Sequence, residues 1–160
     1  MNKKCIMIAC AFFVAVALQA KVSLPAFFSD GMVMQQQSQA SLWGKASKGK
    51  IVEVTTGWDG QTYTTRADEQ GKWKLTVQTP AAGGPYDITF DDGERTRIKD
   101  ILMGELWICS GQSNMEMPMK GFKNQPVEDA NMDVLRSRNS QIRLFTVKRN
   151  SQFAPVDDVT

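Results

Sequence analysis

The sequence predicts an all-β N-terminal domain, a sandwich, followed by the opening of an α/β domain, and three observations carry that expectation. Apolar residues alternate with polar ones at period two: Trp73, Leu75 and Val77 against Lys72, Lys74, Thr76 and Gln78, then Tyr86, Ile88 and Phe90 against Asp87 and Thr89. Strands with one buried face require that pattern. Turn-forming residues punctuate the chain at short intervals, at Trp58-Asp59-Gly60, 68–71, 80–85 and Asp91-Asp92-Gly93, which is the spacing of an antiparallel sandwich. Beyond Asp100 the pattern changes to an apolar run, a segment of helical period and a second apolar run, the strand–helix–strand unit that opens a parallel sheet with a right-handed crossover.

Residues 1–20 read as a secretory signal peptide. Lys3 and Lys4 precede an apolar core from Ile6 to Leu18, and Gln19-Ala20 supply a small residue before Lys21. The apolar run is short for a membrane span. Cleavage near Ala20 makes the protein secreted or periplasmic. The competing reading is a lipoprotein modified at Cys10, which is disfavoured because most of the apolar core lies after that residue. Of the three cysteines, cleavage removes Cys5 and Cys10 and leaves Cys109, so no internal disulfide forms. The whole chain of 160 residues carries 19 basic and 17 acidic residues; loss of Lys3 and Lys4 leaves 17 of each. With no basic stripe, nucleic acid is excluded as an expected partner.

The predicted sandwich covers residues 21–100. Leu42-Trp43-Gly44, residues 51–56 and residues 62–66 supply strands beside the two alternating ones. Trp43 and Trp73 are expected in the core, as tryptophans at strand positions usually are. Trp58, beside a turn, is open between core and surface. The acidic pairs Asp91-Asp92 and Asp68-Glu69 lack the ligand spacing of a calcium loop and are read as turn residues. No metal site is predicted.

Residues 101–160 are expected to begin the α/β domain. Leu106-Trp107-Ile108-Cys109 is a continuous apolar run between Gly104 and Gly111, read as a strand buried on both faces with Cys109 as an inert packing residue. It stops at Ser110-Gly111-Gln112-Ser113-Asn114, poor strand formers and good turn formers. A serine on a sharp strand-to-helix turn holds its hydroxyl clear of the sheet, and its own N–H can receive a developing oxyanion. The arrangement is similar to the G-x-S-x-G nucleophile elbow, but Met115 stands in place of the second glycine. Pro126 suits the first turn of a helix running through Arg138, with Val127, Ala130, Met132, Val134 and Leu135 at helical spacing. Residues 141–148, with Ile142, Leu144, Phe145 and Val147, read as the next strand.

Gly104 to Met117, read with Asp30-Gly31-Met32-Val33-Met34-Gln35, Leu42-Trp43-Gly44, Gly71-Lys72-Trp73 and Gly83-Gly84-Pro85-Tyr86, resembles the sialate O-acetylesterase family of SGNH (GDSL-type) hydrolases. The motifs occur in the family's order over most of the chain. The resemblance implies a flavodoxin-like, three-layer α/β/α hydrolase domain and an esterase acting on O-acetylated sialic acid or a related acetylated glycan without a cofactor. It makes Ser113 the nucleophile, with Gln112 and Asn114 as candidate substrate contacts.

A serine esterase also needs a base, in most such sites a histidine held by a carboxylate. The chain has no histidine. The family's Asp and His lie late in the chain and its other oxyanion donors in intervening blocks, none of which matches these residues. Asp129, Asp133, Asp157 and Asp158 are therefore read as surface carboxylates, and Glu116 as a surface or ion-paired group. The expectation is the N-terminal part of a longer enzyme, truncated and nearly inert alone. The alternative class is a non-catalytic β-sandwich that binds glycan or scaffolds a catalytic domain.

Overall fold

Among the described residues, seven strands follow one another before any helix begins. They are β1 (Val33–Gln35), β2 (Gln39–Lys45), β3 (Ile51–Thr56), β4 (Thr62–Arg66), β5 (Lys72–Gln78), β6 (Gly83–Asp91) and β7 (Arg95–Gly104); the helix α1 (Ala130–Arg136) comes after them. The structure is a computed structural model that describes residues 21–156 and 158–159. The leader reading, with Cys5, Cys10 and the cleavage point at Ala20, lies outside the described residues, as does Asp157.

Five strands form a curled sheet in the order β1-β7-β6-β3-β4, and β2 pairs with β5 in a separate ribbon. All pairings are antiparallel except β1 with β7, where Val33, Met34 and Gln35 run parallel beside Leu102, Met103 and Gly104. Parallel neighbours need a long crossover, and here almost the whole domain lies between the two strands.

The predicted alternation places the core. Val52, Val54, Ile88, Phe90, Ile98, Ile101 and Met103 point inward from the curled sheet, and Leu42, Trp73 and Val77 meet them from the ribbon; each is buried. Trp73 and Phe90 join the layers, with ring centroids 5.8 Å apart. Burying side chains of this size contributes roughly 1.5–3 kcal/mol each. At the far edge β4 lies against β5, where the Thr65 hydroxyl donates to the Lys74 carbonyl at 3.0 Å.

Trp73 is therefore the core residue expected of it, but Trp43 is not. Leu42 and Gly44 face inward on β2, and Trp43 points outward, 36 % exposed, with its ring edge-on to Phe27 and Phe28 at 5.2 and 4.9 Å. The phase of the strand is set by Gly44, which stands opposite Trp73 in the ladder. Trp58 half-covers the core margin, its indole N–H donating to the Gln78 carbonyl at 3.0 Å and its ring 6.1 Å from Tyr86.

Beyond Gly104 the expected α/β unit differs from what is observed. Residues 106–109 form no strand, and Leu106, Trp107 and Ile108 are exposed, Trp107 at 82 %. Cys109, expected to pack, is an exposed free thiol. A strand buried on both faces needs a hydrogen-bonded neighbour and a covering layer, and among the described residues nothing pairs with 105–112: the two edges of β7 are taken by β6 and β1. Likewise α1 has seven residues where 126–138 was expected, and 141–148 forms no strand. Met132, Val134 and Leu135 of α1 are exposed, and a short helix without a packed face has little to sustain it.

The segment after α1 is nevertheless tied to the β-domain. Arg143 donates to the main-chain carbonyl of Asp100 at 2.6 Å and to its carboxylate at 3.0 Å. The Phe145 ring lies 6.5 Å from that of Phe27, and the Asp158 carboxylate accepts the Ala26 N–H at 2.9 Å.

Candidate active site

The block from Gly104 to Met117 begins where β7 ends, and its first residues are gripped by the last residue of β1, Gln35, and the one after it, Gln36. Gln35 Nε2 donates to Glu105 Oε2 at 3.1 Å and Gln36 Nε2 to Glu105 Oε1 at 2.8 Å. The next main-chain N–H, that of Leu106, donates to Gln35 Oε1 at 2.9 Å. These amide donors, Gln36 first and then Gln35, hold the Glu105 carboxyl below the usual glutamate range.

Gln35 and Gln36 are themselves rooted in the domain. The Thr79 hydroxyl donates to the Gln35 carbonyl at 2.7 Å and accepts the Ser38 N–H at 2.9 Å; Thr79 is buried. The Gln36 N–H donates to the Gly104 carbonyl at 2.9 Å, and its Oε1 accepts the Ala82 N–H at 2.8 Å. Sequence reasoning included Gln35 and Glu105 in its motifs without assigning them a task. The only local signal is a run of three glutamines, 35–37, at the end of a short apolar strand.

Ser113 opens a single 3-10 turn, Ser113–Glu116, entered through Gln112. The turn is closed by the Met115 N–H on the Gln112 carbonyl at 2.9 Å. Gly111 lies close under it, since a Cβ there would meet Met115 Cγ at 2.9 Å. Gln112, Ser113 and Asn114 are all exposed, and among the described residues their side chains have no hydrogen-bond partner. The three sequence-selected residues thus share one turn, while no titratable side chain is brought against the Ser113 hydroxyl. Glu116, three positions on, is ion-paired with Arg149, in line with the reading made of it.

The acidic turns serve the backbone. Asp91 accepts the Gly93 N–H at 2.8 Å and the Arg95 guanidinium at 2.9 Å, and Asp68 accepts the N–H groups of Gln70 and Lys72. Among the described residues no group of three His, Cys, Asp or Glu side chains could hold a metal ion, and no helix is long and apolar enough to cross a membrane.

A curled β-domain that hands its last strand to a serine-bearing turn is an arrangement similar to part of a known carbohydrate acetylesterase. The chain superposes on the crystal structure of a carbohydrate acetylesterase from Xanthomonas citri with a TM-score of 0.78 and 31% identity, covering 88% of this chain and 31% of that one. In sequence it is similar to the sialate O-acetylesterases of Mus musculus, at 28% identity over 144 residues, and of Homo sapiens, at 29% over 131 residues. These matches take in 84% and 76% of this chain, and 26% and 24% of the mouse and human proteins. The chain therefore spans about a quarter of the length of the curated relatives it matches. The resemblance to sialate O-acetylesterases read from the motifs extends over most of the chain. No protein-family model matches it.

Proposed function

We propose that this chain is the N-terminal part of a secreted or periplasmic carbohydrate esterase that removes O-acetyl groups from sialic acid or a related acetylated sugar, with Ser113 as its nucleophile. The observation that carries the reading is the Gly104–Met117 block, anchored through Glu105 at the end of a β-domain, in a chain that superposes on part of a carbohydrate acetylesterase. The boundary expected at residue 100 moves to the end of β7 at Gly104: in this reading residues 21–104 are the β-domain and the chain beyond is the start of the hydrolase domain, in the flavodoxin-like arrangement of the SGNH enzymes.

In this reading Ser113 Oγ attacks the acetyl carbonyl, forming an Oγ–C bond while its proton passes to a base. The Ser113 N–H helps hold the tetrahedral oxyanion. Collapse breaks the bond to the sugar oxygen, which leaves with the proton, and water then hydrolyses the acetyl-enzyme. Gln112 and Asn114, on the same exposed turn, are the candidate contacts to the sugar. No cofactor is required. The base is not in this chain, which has no histidine. Loss of one triad member typically costs about four to six orders of magnitude in rate while leaving some residual catalysis, so in this reading the 160-residue chain alone is nearly inert.

The test is hydrolysis of a chromogenic acetyl ester and of 9-O-acetylated sialic acid by the protein at the length of its curated relatives and by residues 21–160, each with and without Ser113→Ala. The reading requires activity in the long form that disappears with the substitution. Full activity in that variant overturns it.

A second reading is favoured by one observation. Trp43 stands at an open cavity of about 620 Å³ whose walls carry both cations, among them Lys45, Arg66 and Lys74, and the carboxylates Asp68 and Asp158, a polar setting beside an aromatic ring that suits a sugar. A glycan-binding β-domain predicts that Trp43 fluorescence is quenched by sialic acid and that Trp43→Ala abolishes the response.

A further inference from the structure

We infer that Gln35 and Gln36 are positioning residues for Ser113: their paired amides grip the Glu105 carboxylate and the Leu106 N–H, fixing the direction in which the chain bearing the nucleophile leaves the β-domain. The inference rests on the assignment of Ser113 proposed above.

Both ends of each amide are engaged. Gln35 donates through Nε2 to Glu105 and accepts the Leu106 N–H through Oε1. Gln36 donates through Nε2 to Glu105 and accepts the Ala82 N–H through Oε1. Turning either amide over would set donor against donor, so the network fixes the orientation of both. Glu105 offers one oxygen to each glutamine, which an uncharged amide at position 105 could not do.

The clamp is also the last firm hold before the serine. Upstream it reaches the buried hydroxyl of Thr79 through the Gln35 carbonyl, and the Gln36 N–H holds Gly104 itself. Downstream, residues 107–112 belong to no strand or helix. Glu105 is exposed, and exposed polar contacts add little to stability. So specific a set of bonds at so wet a place suits the aiming of a segment better than the holding of a fold. A displacement of about 1 Å in a reacting group can lower a rate by about 100-fold.

The experiment exchanges the partners. In the protein at the length of its curated relatives, kcat and KM for a chromogenic acetyl ester are measured in Gln35→Glu, in Glu105→Gln and in the double variant, with Ser113→Ala as reference. The double variant restores the pattern: Glu at 35 accepts from Gln at 105 and from the Leu106 N–H, and Gln36 still donates to position 105. Each single change is expected to lower kcat by about tenfold or more with KM within about twofold, and the double to recover most of it. Single variants with unaltered kcat beside an inactive Ser113→Ala overturn the positioning role and leave the serine reading intact. A fully active Ser113→Ala fails the serine reading itself and takes this inference with it. Parallel losses of kcat and melting temperature without recovery in the double also overturn the inference, since that is the mark of a merely structural contact.

A measurement independent of activity uses the 160-residue chain. The side-chain NH₂ resonances of Gln35 and Gln36 are expected to move together on acidification as Glu105 titrates below the usual glutamate range. Independent or absent movement overturns the clamp.

Discussion

Gly44 faces Trp73 across the β2–β5 ladder with no room for a methyl group between them. A Cβ at Gly44 would lie 2.9 Å from Trp73 Cζ2 and 2.4 Å from the Ser23 carbonyl oxygen, and neither can retreat, since Trp73 is packed against Phe90 and Ser23 is paired with Lys45. Gly44→Ala should therefore destabilise the β-domain by about 1–3 kcal/mol, the usual cost of overpacking. Urea denaturation checks this; an unchanged midpoint would mean that the ribbon shifts freely.

Thr79 is the hub under the glutamine clamp, and its hydroxyl serves both Gln35 and Ser38. Thr79→Val keeps the shape and strands a carbonyl and an N–H, for an expected loss of about 1–3 kcal/mol. Thr79→Ser should restore most of it. Equal stability of the two variants would show that water replaces the hydroxyl.

Ser113 makes no side-chain bond among the described residues and is exposed. Ser113→Ala should change stability by less than about 0.5 kcal/mol, as for other surface sites. A loss several times larger would mark Ser113 as a structural cap and remove the meaning from its activity assay.

Asp91 supplies a pH dependence of known sign. Its carboxyl is held below the usual aspartate range, chiefly by the Gly93 N–H and then by Arg95. A group depressed in the folded state contributes stability above its unfolded pKa, and the contribution disappears as pH falls through the folded value. Asp91→Asn should thus be somewhat less stable than the parent at neutral pH and should lose less on acidification from about pH 5 downward. Denaturation midpoints at a series of pH values test it, and parallel curves for the two proteins would refute it.

What could be read from the sequence was what the chain decides locally. β3 and β4 occupy the residues expected of them because alternation and flanking turns are properties of a few neighbours. The facing of Trp43 is not such a property. It follows from the fit of Gly44 to Trp73, which belongs to two strands at once. The run 106–109 carries the composition of a buried strand, but burial needs a partner, and among the described residues there is none. The motif at Ser113 was legible as a turn, and it is one. The grip on Glu105 had no local signal because it joins groups 69 residues apart.

That separation also bears on how the domain assembles. Strand β1 is synthesised first among the seven, yet its ladder partner among the described residues is the last, β7. Every other pairing closes a shorter loop, and loop closure of this length is entropically the slowest to be rewarded. The docking of β1 should therefore be a late event on the folding pathway, following formation of the β6–β7 hairpin. A destabilising change such as Met34→Ala would then quicken unfolding and leave the folding rate nearly untouched, as read from the two arms of a chevron; slowed folding would place β1 in the nucleus instead. The take-off point of the serine-bearing block is accordingly set at the end of folding, by the earliest residues of the sheet.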